Sequence, residues 1–216
     1  MTIEPISKTT RRPSDFYAIV AISCLVYSAL ALVLLHLLRS DYAPASHMIS
    51  DYAVGRYGWV MTTWFIAMSI GCLMLALGLK RRGPNTTLAT VGSILLGIAA
   101  IGLLVSAAFP TDLDDAPTTQ TGNIHTISFL LNVASILIAT VLTSLSFGSH
   151  PRRRSFRVTS LALTALIVVA FVIQFLTLHR GAPYGLANRL FVALLFLWLF
   201  ATSIRLRDVT RDAGDD

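Results

Sequence analysis

Five residues of this 216-residue chain have the side-chain types and positions to build a binding site: Ser50, Asp51, Asp112, His125 and Arg189. Asp51, Asp112, His125 and Arg189 lie within about one turn of a helix end on the same face, and Ser50 sits with Asp51, so a compact bundle of the apolar runs brings them together. Arg189 is expected to pair with an aspartate, because a charge near a membrane boundary is best stabilised by a partner. It can also hold an anionic group, with the carboxylates and His125 completing the hydrogen bonds. A second chemistry uses His47, His125 and His179 with Asp51 or Asp112, a donor set that binds zinc and activates water. A third reading needs no ligand, the polar cluster only locking the bundle. Ordinary roles account for part of the pattern. Ser, Asp and Asn before an apolar helix are N-caps, which covers Ser50, Asp51, Asn123 and Asn188. Arg189 can snorkel to the interface, and Asp114, Asp115 and residues 118–121 read as a solvated loop.

The elements that position these residues follow from composition. The chain is 55% hydrophobic and 13% charged, with mean hydropathy +0.70, against roughly 25% charged in soluble domains. That excludes a water-soluble globule, and the dominance of apolar runs without heptads excludes disorder and coiled coil. A membrane-crossing helix needs about 20 apolar residues. Six stretches qualify: 16–38, 57–79, 88–109, 124–147, 158–178 and 185–204. The first is a retained anchor, since its apolar run continues to Leu38 and signal peptides have cores of about 7–15 residues. The predicted fold is all-α, a polytopic bundle of six transmembrane helices over residues 16–204. Tails of residues 1–15 and 205–216 flank it.

Charge placement orients the bundle. Thirteen of the 17 Lys and Arg fall in the N-terminal tail, after the second and fourth spans and after the sixth; Arg39, Arg56, Arg180 and Arg189 are on the other side. The positive-inside rule puts both termini in the cytoplasm and the polar cluster on the extracytoplasmic face of the cell membrane. The basic clusters lack the interleaved aromatics of a nucleic-acid surface. Cys24 and Cys72 sit inside apolar runs as small hydrophobes. Ala89, Ser93 and Gly97 repeat every four residues as a small-residue face for another helix, and Ser128, Asn132 and Ser135 form a polar stripe. No cofactor is specified, and Gly-x-Ser-x-Gly, Walker and His-Glu-x-x-His patterns do not occur.

Four short elements occur in order, each at the outer end of a span: Ser50-Asp51-Tyr52, Phe109-Pro110-Thr111-Asp112, Gly122-x-x-His125 and Gly185-Leu186-x-x-Arg189. Together they resemble the pattern of the "domain of unknown function 998" membrane proteins, from the first span to the sixth. The resemblance implies a six-helix prokaryotic-type membrane protein and no established reaction. The histidines also invite comparison with the alkaline ceramidase and adiponectin-receptor hydrolases. Those proteins have seven helices and an H-x-x-x-H in the last, whereas the sixth span here holds no histidine. The expected function is a pocket for a lipid headgroup or small amphiphile at Ser50, Asp51, Asp112, His125 and Arg189. A structural or accessory subunit and a metal-assisted lipid hydrolase are the alternatives.

Overall fold

The computed structural model of the chain describes residues 13–149, 154–179 and 181–212. Lys8, Arg11, Arg12, Arg152, Arg153 and Arg180, all used in the charge tally, lie outside the described residues. Six long helices follow one another: α1 Pro13–Leu38, α2 Gly58–Arg82, α3 Thr87–Ala108, α4 Gln120–Ser146, α5 Arg154–Leu176 and α6 Tyr184–Asp212. Short 3-10 turns cover Ile49–Ala53 and Phe147–Ser149. All six long helices have the length and apolarity to cross a membrane, and helices satisfy their own backbone groups where no water can. An even number of crossings returns the chain to the side where it began. Most helix ends differ from those expected, with the largest shifts at α4, α5 and α6. The Thr119 hydroxyl accepts from Gly122 N–H and caps α4, starting it four residues early. At its other end α6 runs on to Asp212, because a helix leaving the hydrocarbon needs no apolar side chains to continue.

Consecutive helices lie side by side, and α6 returns against α1 to close a ring. The most deeply buried helix, α2, also touches α6, while α5 is the most exposed. The outer surface is an apolar belt: Leu37 and Val158 are each 75% exposed and Ile101 64%, a surface that only lipid matches. Lipid tails provide no hydrophobic drive between helices, so close packing and interhelical hydrogen bonds hold the seams, at about 0.6 kcal/mol per bond. Ser69 donates to the Ala100 carbonyl at 2.7 Å, joining α2 to α3. Ser106 and Ser128 share a hydrogen bond of 2.9 Å between α3 and α4. The small-residue face is only half as expected. Ala89 and Ser93 are buried, but the tight approach of α3 to α4 falls at Gly92, beside Thr143 and Ala139, and Gly97 faces open space.

The seam between α4 and α5 is the least extensive of the sequential ones. A buried knot of hydroxyls joins it close to the 150–153 connection. Ser144 bonds Ser160 at 2.6 Å and Thr164 at 3.1 Å. The indole N–H of the fully buried Trp198, from α6, donates to Ser144 at 3.2 Å and Ser160 at 3.0 Å. At the opposite end of the bundle, toward the 39–57 and 109–119 connections, the helices enclose a cavity.

Candidate functional site: a cavity with an acidic mouth

Two clasps frame the cavity. The first joins α1, the 39–57 connection and the start of α6. Gly185 sits where any Cβ would overlap the carbonyls of Pro44 and His47, and its N–H donates to the Ala45 carbonyl at 2.9 Å. One turn later Arg189 donates through Nη1 to the carbonyls of Pro44 (2.9 Å), His47 (2.6 Å) and Gly185 (3.0 Å). Its Nη2 reaches the Tyr52 hydroxyl at 3.1 Å, and its Nε reaches His36 Nε2 at 2.8 Å. A guanidinium can only donate, so His36 Nε2 carries the lone pair and Nδ1–H donates to the Leu32 carbonyl at 2.7 Å. Next to Arg189, the Asn188 side chain accepts from Ile49 N–H at 3.0 Å. The expected pair between Arg189 and an aspartate does not form, because backbone carbonyls of the folded-back loop, His36 and Tyr52 take its donors. Among the described residues, Arg39 makes an ion pair instead, with Asp41 at 2.9 Å. Arg39 is 5% exposed, also donates to the Val54 and Arg56 carbonyls, and holds the Asp41 carboxyl below the usual carboxylate range.

The second clasp joins α3 to α4. Asp112 accepts from Thr119 N–H at 2.7 Å and from the Thr119 hydroxyl at 2.8 Å. A Cβ at position 122 would overlap the Asp112 carboxylate, so the glycine one turn into α4 lets that carboxylate lie against the helix start. His125, 4% exposed, donates from Nδ1 to the Phe109 carbonyl at 2.8 Å and meets the Phe65 ring edge-on at 5.8 Å. The Phe109–Asp112 and Gly122–His125 elements therefore close one clasp. The Ser50–Tyr52 and Gly185–Arg189 elements close the other.

Between them lies a cavity of about 340 Å³ bounded by α2, α3, α4 and α6. Its mouth is lined by Ser50, Asp51, Thr111, Asp112, Asp114 and His125; its shaft includes Met68, Leu103, Val133 and Leu195. Four of the five expected site residues thus border one space, and Arg189 is not among its lining residues. Asp51 accepts from Met48 N–H at 2.8 Å. Burial pushes its carboxyl up to about 6, and the charge of Asp114 adds to the rise, while the Met48 N–H, His47 and Arg189 oppose it. The Tyr184 hydroxyl donates to Asp114 at 2.5 Å, tying the 109–119 connection to the start of α6.

The histidines proposed as metal ligands have separate roles. His47 stacks on Tyr42 with ring centroids 4.5 Å apart, His125 is held by Phe109, and His179 follows α5, its N–H on the Thr177 carbonyl. Among the described residues no group of three His, Cys, Asp or Glu side chains is placed to hold a metal ion.

Sequence reading missed three participants. Asp114 lies in an exposed loop, as expected, and also lines the mouth. Asn132, read as packing polarity, lines the shaft with its Oδ1 unpartnered. Trp64 lines it as well, 5% exposed, and its indole N–H has no hydrogen-bond partner. The Asn132 stripe was visible in the sequence; Trp64 gave no signal beyond being one of three tryptophans.

Neither a curated protein nor a solved structure matches the chain. A family profile described as a protein of unknown function, DUF998, matches residues 20–205. With all four outer motifs accounted for by the two clasps and the profile covering all six spans, the chain belongs to the DUF998 family of multi-pass membrane proteins.

Proposed function

We propose that this protein holds one membrane amphiphile, with the polar head among Ser50, Asp51, Asp112 and His125 and the chain in the apolar shaft. The observation that carries this reading is the cavity itself, whose mouth is polar and whose shaft is apolar. Ligand sites elsewhere share that form, mostly apolar walls with a few placed polar groups. The excess of Lys and Arg on the opposite side supports an extracytoplasmic mouth at the cell membrane. Arg189 serves the site from behind. Three of its five donated bonds, to Pro44, His47 and Tyr52, hold the 43–53 segment in place, so it positions Ser50 and Asp51 without touching the ligand.

A photoreactive probe tests this. A long-chain alcohol with a diazirine at mid-chain, added to the protein in maltoside micelles, is expected to label Met68, Val133 and Leu195. Val133→Phe, which fills the shaft, should remove that labelling while the protein stays folded. Label confined to the outer belt, at Leu37, Ile101 or Val158, would leave the accessory-subunit reading in its place.

A further inference from the structure

The cavity has a charge sign. Its mouth carries the carboxylates of Asp51, Asp112 and Asp114, and no Lys or Arg is found among its lining residues. The charges of His47 and Arg189 act on Asp51 from outside the cavity lining, and the Arg189 guanidinium donates to His36, Tyr52 and three carbonyls. A single buried or half-buried carboxylate is ordinarily matched by a cation. Here three line one opening, Asp51 and Asp112 half-buried and Asp114 exposed, and Asp51 accepts only a backbone N–H among its recorded hydrogen bonds. Trp64 and Asn132 line the shaft as well, but the indole N–H and the amide Oδ1 are closed off from it and set no requirement on what fills it.

The geometry points to an amphiphile with a cationic, amine-bearing head. The ammonium lies among Asp51, Asp114 and Asp112. An anionic head would meet three carboxylates with no free cation to offset them. This inference rests on the amphiphile-binding reading and adds its substrate class. It reverses the anionic preference that Arg189 alone suggested.

Lipid nanodiscs separate the two levels. The intact protein is placed in zwitterionic-lipid discs doped at equal mole fraction with a long-chain primary amine, the alcohol of the same length, or the carboxylic acid. A short-chain amine is added to the buffer in a fourth arm. Thermal unfolding and displacement of the mid-chain diazirine probe are read at about pH 7.5, where Asp51 is ionised. The amine is expected to displace the probe at a concentration about tenfold or more below the acid, with the alcohol between them. Asp51→Asn with Asp114→Asn should abolish the amine's advantage over the alcohol. Asp112 is left alone because it caps the α4 start. Equal binding of amine, alcohol and acid would overturn the charge assignment and keep the cavity reading. Preference for the acid would overturn it in favour of an anionic head. A short-chain amine as effective as the long one would replace the amphiphile by a soluble ammonium ligand. No displacement in any arm would end both readings.

Discussion

The bundle contains two polar regions at opposite ends, and they differ in completeness. In the knot of Ser144, Ser160, Thr164 and Trp198, the indole N–H and all three hydroxyls have partners within the bundle. Beside the cavity, the indole N–H of Trp64 and the amide oxygen of Asn132 have none, and the mouth carries three acidic residues with no Lys or Arg among the lining residues. Both regions use a buried tryptophan and small polar residues. Polar content alone therefore does not mark a site inside a membrane. A saturated network is structural glue, worth modest stability per bond, whereas unmatched charges around a space define what should fill it. The Arg189 clasp belongs with the knot: it is charged and central, and every guanidinium nitrogen donates within the bundle.

The largest expected effect comes from breaking that clasp. Arg189→Ala strands the carbonyls of Pro44 and His47 and leaves His36 without its donor. The expected cost is on the order of 3 kcal/mol, read as a lower unfolding midpoint, with faster proteolysis within the 39–57 connection. Arg189→Lys should recover only a minor part, since one ammonium cannot reproduce a fork that serves five acceptors. If Arg189→Ala instead left stability unchanged and removed ligand binding, the residue would belong to the cavity and the division between regions would fail.

Asp51→Asn acts in the opposite direction. The carboxyl has a pKa of about 6 in the folded protein against an ordinary 3.8, so the folded state resists its ionisation. The sign is that of a group whose folded pKa is raised. Its stabilisation is complete below about pH 3.8 and is lost as pH rises through about 6. The shift corresponds to about 3 kcal/mol at most. Without ligand, the variant should be more stable than the wild type at neutral pH and equal to it near pH 4, its amide still accepting from Met48 N–H. A variant less stable at neutral pH would show that a cation already compensates Asp51. A smaller change, about 1 kcal/mol, is expected for Trp198→Phe, which empties one place in the knot. Labelling of Met68 and Val133 by the diazirine alcohol should be unaffected; if it changed, the two ends would be coupled.

The sequence made the six spans legible because hydrocarbon thickness sets a length that hydropathy reports directly, and the α4 and α6 boundaries shifted only where caps or solvent take over from lipid. The outer motifs were legible as motifs, yet their reasons were not. Gly122 is there for the Asp112 carboxylate and Gly185 for the Pro44 and His47 carbonyls, contacts between segments that no local pattern encodes. Arg189 was assigned an aspartate because sequence shows acids and does not show which backbone carbonyls a folded-back loop will present. Trp64 was silent for a related reason. An apolar helix shows where its aromatic residues are, and only the packed bundle shows whether an indole N–H finds a partner, as Trp198 does and Trp64 does not.

Native mass spectrometry of protein extracted in a mild detergent tests occupancy of the cavity most directly. One retained amphiphile per chain is expected, present at gentle activation, absent from Val133→Phe and Leu195→Phe, and retained in Trp198→Phe. Bare protein at every activation energy, or the same adducts in the filled and unfilled variants, would show that the cavity holds nothing.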